Sequence, residues 1–202
     1  MNSEDDRETR PVPSGMTRSE ANTGRFGMAI FLISLSILFA ASIIGYLVVR
    51  MRAQLWRTTN LPPLPSGLWL STGILVACSV VIHYALVQTR RNNLGAARKF
   101  LLAASVLGTG FLVNQFVNWL ALTAAQMPPT ARNLYAFTFY MLTGLHAAHV
   151  IGGLVQLGVV TRRSFRGAYT AQYHPGITYA AMYWHFLDAV WVVMFLVMIV
   201  QN

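Results

Sequence analysis

The sequence predicts an all-α integral membrane protein, a bundle of five transmembrane helices. Of its 202 residues, 55% are hydrophobic and only 10% are charged, and the mean hydropathy is +0.49. This composition is too apolar for a water-soluble domain of this size. About 20 apolar residues cross a bilayer core, and five segments of the chain reach that length. They span residues 26–49, 67–87, 100–125, 134–160 and 177–200.

Residues 1–25, ahead of the first crossing, form a polar segment that holds five of the six acidic residues. It also contains Pro11, Pro13 and Gly15, and such a composition cannot bury a core. The segment lacks the basic stretch followed directly by an apolar run that marks a signal peptide. We therefore expect a retained, disordered cytoplasmic tail, followed by a single five-helix domain over residues 26–202.

The connections between the crossings carry residues that end helices. Three prolines lie in the segment 61–67 and two more, Pro128 and Pro129, follow the third crossing. Proline cannot donate a backbone hydrogen bond and stiffens the chain, so these segments predict breaks between helices. The polar segment 90–95 predicts a short turn between the second and third crossings.

The distribution of Lys and Arg predicts the orientation of the bundle. Positively charged loops remain on the cytoplasmic side of a membrane. We expect the N-terminus inside and the C-terminus outside, because nine basic residues flank the crossings on the N-terminal face and four flank them on the other. The nine are Arg18, Arg25, Arg90, Arg91, Arg98, Lys99, Arg162, Arg163 and Arg166. The net charge of +9 is explained by this topology and by contact with lipid phosphates, and does not indicate nucleic acid.

Polar residues inside the last two crossings are the main chemical feature. Asp188 is the only acidic residue after Glu20. It follows His185 by three positions, and His149 follows His146 at the same spacing, so each pair shares one helix face. If the two faces meet, they bring three imidazoles and one carboxylate together.

Two interpretations of these residues remain open from the sequence pattern. Imidazole is a common ligand of metals and haem iron, so the group could form a metal site. Alternatively, it forms a polar cluster between helices, because a carboxylate in the membrane must accept hydrogen bonds and nearby His, Trp and Tyr side chains can donate them. The indoles of Trp184 and Trp191 lie at the edges of this group. We favour the polar cluster.

Small residues inside the crossings indicate where helices pack closely. Gly144, Gly152 and Gly153 lie in the fourth crossing, and Gly108 and Gly110 lie in the third. Small side chains let helix backbones approach closely where lipid gives no hydrophobic drive for association. We expect these positions to pack helices together. On the second crossing, the lone Cys78 is expected in the core.

Two long motifs resemble those of a known family. Residues 139–153 read FYMLTGLHAAHVIGG and residues 182–191 read MYWHFLDAVW. Both resemble the last two helices of subunit III of haem-copper terminal oxidases. Five crossings match the short bacterial form, which lacks two helices of the longer one. The resemblance extends to residues 27–50, 68–72 and 110–115 and to Ser79.

The resemblance implies a non-catalytic accessory subunit in the aerobic electron transport chain of a bacterial inner membrane. Such a subunit binds no haem or copper, docks on subunit I, which carries both, and holds phospholipids in a cleft between its helices. Other oxidase subunits, and a respiratory supercomplex, are further partners that it implies. The electron donor, cytochrome c or quinol, stays open. The resemblance assigns His146, His149, His185 and Asp188 to polar packing between the last two helices.

Three other functions are alternatives to an accessory oxidase subunit. The first is the related subunit III-like protein of a nitric oxide reductase system. The second is a self-sufficient haem-binding or metal-binding membrane protein that uses His146, His149 and His185. The third is an ion or proton channel built around Asp188, for which a single acid makes a poor relay.

Three positions depart from the family pattern. Leu35 follows Ser34 where many members carry a membrane-embedded Glu. Asn118 precedes Trp119 where Glu is common, and Thr178 stands where the last helix often has another acid. Because these three residues are neutral, the ionisable groups that a role in proton uptake would need are missing at these positions. Lipid binding and stabilisation of subunit I do not need them.

Overall fold

The computed structural model describes residues 18–52, 66–124 and 134–200 of the chain. These residues form five helices and short connections, with no strand among them, which confirms the predicted all-α fold. Each helix is long and apolar enough to cross a membrane. The expected tail up to residue 17 and the proline-containing segments lie outside the described residues. The helices are α1 (Arg18–Arg52), α2 (Gly67–Arg90), α3 (Leu94–Ala124), α4 (Leu134–Phe165) and α5 (Pro175–Val200).

All five helices extend beyond the apolar segments that predicted them, and the extensions of α1, α3 and α4 are the longest. α1 begins at Arg18, inside the expected tail, α3 begins at Leu94, and α4 continues to Phe165. An apolar pattern marks only the part of a helix that lies in hydrocarbon, whereas backbone hydrogen bonding continues into water, where charged residues are stable. Residues 18–25, which the sequence analysis placed in the polar tail, are helical.

The turn between α2 and α3 is tight, as the polar segment predicted. Asn92 adopts a left-handed conformation with φ of 58°, which Asn tolerates better than most residues. Its N–H donates to the carbonyl of Thr89 at 3.0 Å. The side chain of Asn93 then accepts the N–H of Ala96 at 3.3 Å and caps the start of α3. This turn holds α2 and α3 antiparallel, and they form the most extensive helix pair of the bundle.

The core is centred on α5, which packs against α1, α2 and α4. Trp184 and Trp191 of α5 are fully buried, and Phe39 of α1 and Phe111 of α3 meet them in one apolar cluster. α5 buries the largest share of its apolar span and α1 the smallest. α1 packs on α4 and α5 at the edge of the bundle. Cys78 of α2 is fully buried, as expected.

Candidate functional site

A polar contact near the start of α2 joins this helix to α3. The side-chain N–H groups of Asn114 donate to the carbonyl of Gly67 at 2.9 Å and to the hydroxyl of Ser71 at 2.8 Å. Inside a membrane such bonds have little competition from solvent and hold helices in register. Asn114 and Ser71 both belong to the segments that resemble the oxidase family.

Trp191 makes the equivalent contact between α5 and α2. Its indole Nε1 donates to the hydroxyl of Thr72 at 3.0 Å. The same ring meets Phe111 edge-on, with ring centroids 5.1 Å apart, and lies 5.0 Å from the ring of His146. Trp191 therefore combines aromatic packing with one directed hydrogen bond.

His146 is fully buried and surrounded by aromatic rings. The centroids of Phe39, Phe111 and Trp191 lie 6.2, 5.7 and 5.0 Å from its own. Neither of its ring nitrogens has a hydrogen-bond partner among the described residues. His146 thus acts as a packing residue at the meeting point of α1, α3, α4 and α5.

His149 faces α1 and bonds within its own helix. Its Nδ1 lies 2.8 Å from the carbonyl oxygen of Leu145, and its ring centroid is 4.9 Å from that of Phe39. The backbone carbonyl of His149 accepts a hydrogen bond from the hydroxyl of Tyr183 at 3.0 Å. This bond joins α4 to α5 without using the imidazole.

His185 and Asp188 lie on the α2 side of α5. The Nδ1 of His185 is 2.5 Å from the hydroxyl oxygen of Ser79, and its ring centroid is 6.1 Å from that of His83. Asp188 is buried, and neither of its carboxyl oxygens has a hydrogen-bond partner among the described residues. No hydrogen bond to this carboxyl group from a described His, Trp or Tyr side chain is present, and the nearby His185 bonds to Ser79.

The six residues expected to share one polar cluster separate into different environments. No hydrogen bond among the described residues joins any two of them, and the indole nitrogen of Trp184 has no partner. About 100° of rotation per residue places His185 on a different face of α5 from Trp184 and Trp191. In the described part of the chain, no group of three or more His, Cys, Asp or Glu side chains could hold a metal ion. The six are His146, His149, Trp184, His185, Asp188 and Trp191.

The glycines of α4 differ in how closely the neighbouring helices approach them. A Cβ on Gly153 would stand 3.0 Å from Tyr183 and 3.3 Å from Trp184, so this glycine lets α5 approach α4. Cβ atoms on Gly152 and Gly144 would make ordinary contacts, at 3.8 Å from the Tyr183 hydroxyl and 4.0 Å from the Trp119 ring. Of these three glycines, only Gly153 makes a tight contact, and that contact is with α5.

Two glycines of α3 behave in opposite ways. A Cβ on Gly108 would lie 2.7 Å from Trp184 and 3.0 Å from Leu154, which no real packing tolerates without movement. A Cβ on Gly110 would meet no atom within 4 Å. The expectation of close helix packing therefore fits Gly108 and does not fit Gly110.

The three residues expected to stand where the family carries acids make structural contacts. Leu35 is buried in the apolar core. Asn118 is buried with its side chain against Gly67, where a Cβ would overlap its amide oxygen. The hydroxyl of Thr178 donates to the carbonyl of His174 at 3.3 Å. Each side chain is neutral and contributes packing or a local hydrogen bond.

The sequence pattern did not assign a role to several hydroxyl-bearing residues. Thr72 of α2 accepts a hydrogen bond from Trp191 of α5, and Ser79 of α2 is hydrogen-bonded to His185 of α5. Thr143 accepts a hydrogen bond from the indole of Trp119 at 3.0 Å, and the hydroxyl of Tyr140 donates to the carbonyl of Trp119 at 3.0 Å. The sequence feature that could have revealed these roles is a polar side chain inside an apolar helix, because such a side chain needs a hydrogen-bond partner on another helix.

A groove of about 230 Å³ separates α1 from α4 near the end of the bundle formed by the C-terminus of α1. Its walls are almost entirely apolar, and the backbone of α1 is exposed there by Gly45. Tyr46 and Phe137 lie on opposite sides, with Met141 and Leu145 along the α4 wall.

At the opposite end of the bundle, polar and basic residues fix the helix ends. Arg98 of α3 donates to the carbonyl of Ser164 at 3.0 Å, and its guanidinium lies 5.6 Å from the ring centroid of Phe165. His174 precedes α5, with its Nδ1 3.2 Å from the carbonyl oxygen of Thr170. Partial burial lowers the pKa of His174 below its ordinary value.

These features define a class of integral membrane protein in which five helices are held together by polar contacts and small residues. Residues 14–201 match the family model described as "Cytochrome c oxidase subunit III". The chain belongs to the cytochrome c oxidase subunit III family, and is therefore a subunit of a haem-copper oxidase complex that includes other oxidase subunits.

Individual relatives agree with this family. The chain is 35% identical to the cytochrome c oxidase subunit 3 of Thermostichus vulcanus, over 84% of this chain and 83% of that protein. It is 34% identical to the protein of the same name from Synechocystis sp., over 85% and 72%. The subunit 3 of Mus musculus is 31% identical, over 85% and 67%. The similarity therefore extends from cyanobacteria to animals and covers most of each chain.

Proposed function

We propose that this chain is a non-catalytic subunit that docks directly on subunit I of its oxidase and stabilises it in a bacterial inner membrane. Subunit I carries the haem and copper, and this chain binds neither. The observation that carries the proposal is the use of the buried polar side chains. His146 is enclosed by three aromatic rings, and Trp191 and Asn114 donate to neighbouring helices. These contacts use the buried polar groups to support the bundle.

Lipid binding is the second part of the proposal. The apolar groove between α1 and α4 has a volume of about 230 Å³ and an almost entirely apolar lining. α1 buries less of its apolar span than any other described helix, so an acyl chain in this groove would add contacts that the protein lacks. A structural phospholipid at this position would stiffen the edge of the bundle.

The membrane domain, residues 26–202, is proposed to lie with its N-terminus in the cytoplasm and its C-terminus outside. The described basic residues support this orientation, because Arg90, Arg98 and Arg163 lie at the end of the bundle that begins α1. Leu35, Asn118 and Thr178 cannot exchange protons. We propose no part for this chain in proton uptake through those positions.

A strain that lacks this chain tests the non-catalytic role. The oxidase purified without it should keep the haem bands of subunit I and its initial rate of oxygen reduction, and should lose activity faster during turnover or heating. The same strain complemented with the natural chain is the control. An initial rate near zero in a remainder that keeps its haem bands would show that the chain takes part in catalysis.

A further inference from the structure

Two exposed imidazoles lie side by side on the surface formed by α2 and α5. His83 and His185 are both exposed, and their ring centroids are 6.1 Å apart. Val80 on α2 and Val192 on α5 are exposed and apolar, and both lie on the side of the pair toward the start of α2. We refer to these four residues, with Ser79 between them, as the α2–α5 face.

The two imidazoles lie at a depth where lipid offers no hydrogen bond. With a rise of about 1.5 Å per residue, His83 is about 10 Å from Arg90 along α2, and His185 is about 15 Å from Pro175 along α5. The hydrocarbon core is about 30 Å thick, so both side chains lie inside it or at its margin. An exposed polar atom at this depth is costly unless another protein group satisfies it.

Four hydroxyl groups elsewhere on the bundle bond within their own helices. The hydroxyls of Ser34, Ser36, Ser42 and Thr109 each donate to the carbonyl four residues earlier, at 2.8 to 3.1 Å. Within the described helices, His83 and His185 make no such bond to the carbonyl four residues earlier. His185 uses only its Nδ1, on Ser79. Among the described residues, nothing bonds to its Nε2 or to either ring nitrogen of His83.

We infer that the α2–α5 face is the docking surface for a transmembrane helix of subunit I that presents a hydroxyl or amide side chain at the level of His83 and His185. A neutral imidazole both donates and accepts, and hydroxyl and amide groups do the same, so they complement the pair without bringing a charge into the membrane. The apolar residues around the pair supply the rest of a helix-packing surface. The inference rests on the proposed function, because it names the surface through which that function operates.

Photocrosslinking in native membranes tests the position of this surface. A benzophenone amino acid placed at Val80 or Val192 reports on the α2–α5 face. The benzophenone amino acid placed at Val106 of α3 or Val155 of α4 reports on other exposed surfaces and is the control. We expect adducts with subunit I from Val80 and Val192, in several-fold higher yield than from the two control positions.

Three outcomes of this experiment overturn the inference. They are adducts with subunit I from the control positions alone, adducts that join two copies of this chain, and labelling of lipid alone at Val80 and Val192. In the first and third outcomes, subunit I still co-purifies with the tagged chain without irradiation, so the proposed function survives while the surface is wrong. Absence of subunit I from every purification removes the proposed function and the surface together.

A substitution provides the second test. His83→Leu removes no hydrogen bond within the described part of the chain, so any loss of association reports on the partner. We expect a several-fold decrease in haem recovered per tagged chain, compared with Ser36→Ala on α1. An unchanged haem recovery at normal yield of the tagged chain contradicts the inference. The crosslinking experiment uses chains that keep both His83 and His185, so it still tests the docking surface if the His83→Leu variant fails to accumulate.

Discussion

The indole Nε1 of Trp191 donates a hydrogen bond to the hydroxyl of Thr72 across 3.0 Å, and this bond joins α5 to α2. The preceding residue of α2, Ser71, accepts a hydrogen bond from Asn114 of α3. Successive residues of a helix point in directions about 100° apart, so two adjacent positions can hold two different neighbours. The first turns of α2 thus connect three helices of the bundle.

A double-mutant cycle measures the bond between Trp191 and Thr72. Trp191→Phe and Thr72→Val each remove one partner, and the double variant removes both. We expect a coupling energy of about 0.5–1.5 kcal/mol, in the range of hydrogen bonds in proteins and of interhelical bonds in membranes. The measurement is the free energy of unfolding of each variant in mixed detergent. Additive losses would mean that the two side chains do not interact.

Asn114→Leu should destabilise the association of α2 with α3. It removes two hydrogen bonds and leaves the Ser71 hydroxyl without its donor, at about 1–3 kcal/mol for an unsatisfied buried group. The same unfolding measurement checks the change. Thr109→Val, on the exposed surface of α3, is the control, because its hydroxyl bonds only within its own helix. Equal stability of the two variants would argue against an interhelical role of Asn114.

Gly108→Ala and Gly110→Ala form a matched pair on one helix. At Gly108 the added methyl group meets Trp184 at 2.7 Å and forces a shift in a packed core, at about 1–3 kcal/mol. At Gly110 the methyl group meets nothing, and Ala is the better helix former, so stability should stay the same or rise slightly. Thermal inactivation of the purified complex would separate them. A greater loss at Gly110 is inconsistent with the packing described.

Asp188→Asn should not lower the stability of the bundle. The carboxyl oxygens of Asp188 have no hydrogen-bond partner among the described residues, so the amide deprives no donor of its acceptor. It also removes a charge that is costly at this depth. We expect a free energy of unfolding equal to or above that of the natural chain. A loss of about 1 kcal/mol or more would show that the carboxylate is bonded in the membrane.

His174 should make the complex sensitive to mild acid. Burial lowers its pKa in the folded chain below the ordinary value of 6.5, and the nearby charges of Arg90 and Arg25 lower it further. Between the two pKa values the unfolded chain binds more protons, so stability rises with pH through this window and falls as the pH drops below about 6.5.

The variant His174→Gln isolates this contribution. Thermal stability of the complex is measured across the window below and above the ordinary histidine pKa. The difference between natural and variant complexes should be larger in acid, with the natural complex losing more stability as the pH falls. A difference that is constant with pH would mean that His174 has the same pKa in both states.

The number of helices and the family were predictable from the sequence because both depend on long, local patterns. Apolar runs reveal the crossings, and the motifs at 139–153 and 182–191 carry the resemblance. The helix ends were less predictable. α1 extends to Arg18 because helical hydrogen bonding does not stop where hydrocarbon ends.

The partners of the polar side chains could not be predicted in the same way. Spacing places His185 and Asp188 close together on α5, but it does not predict that the imidazole of His185 forms a hydrogen bond with Ser79 of α2. Which helix lies opposite a given face depends on the packing of the whole bundle. For this reason the sequence pattern favoured one cluster between the last two helices, where the structure instead separates His146 from His185.

Co-purification from native membranes is the most direct test of the accessory role. The chain is tagged at its N-terminus, extracted in mild detergent and examined by mass spectrometry and by a reduced-minus-oxidised spectrum. We predict that a haem-copper catalytic subunit accompanies the chain and accounts for all of the haem bands. Recovery of the chain without such a partner, or with haem held by this polypeptide alone, would contradict the account.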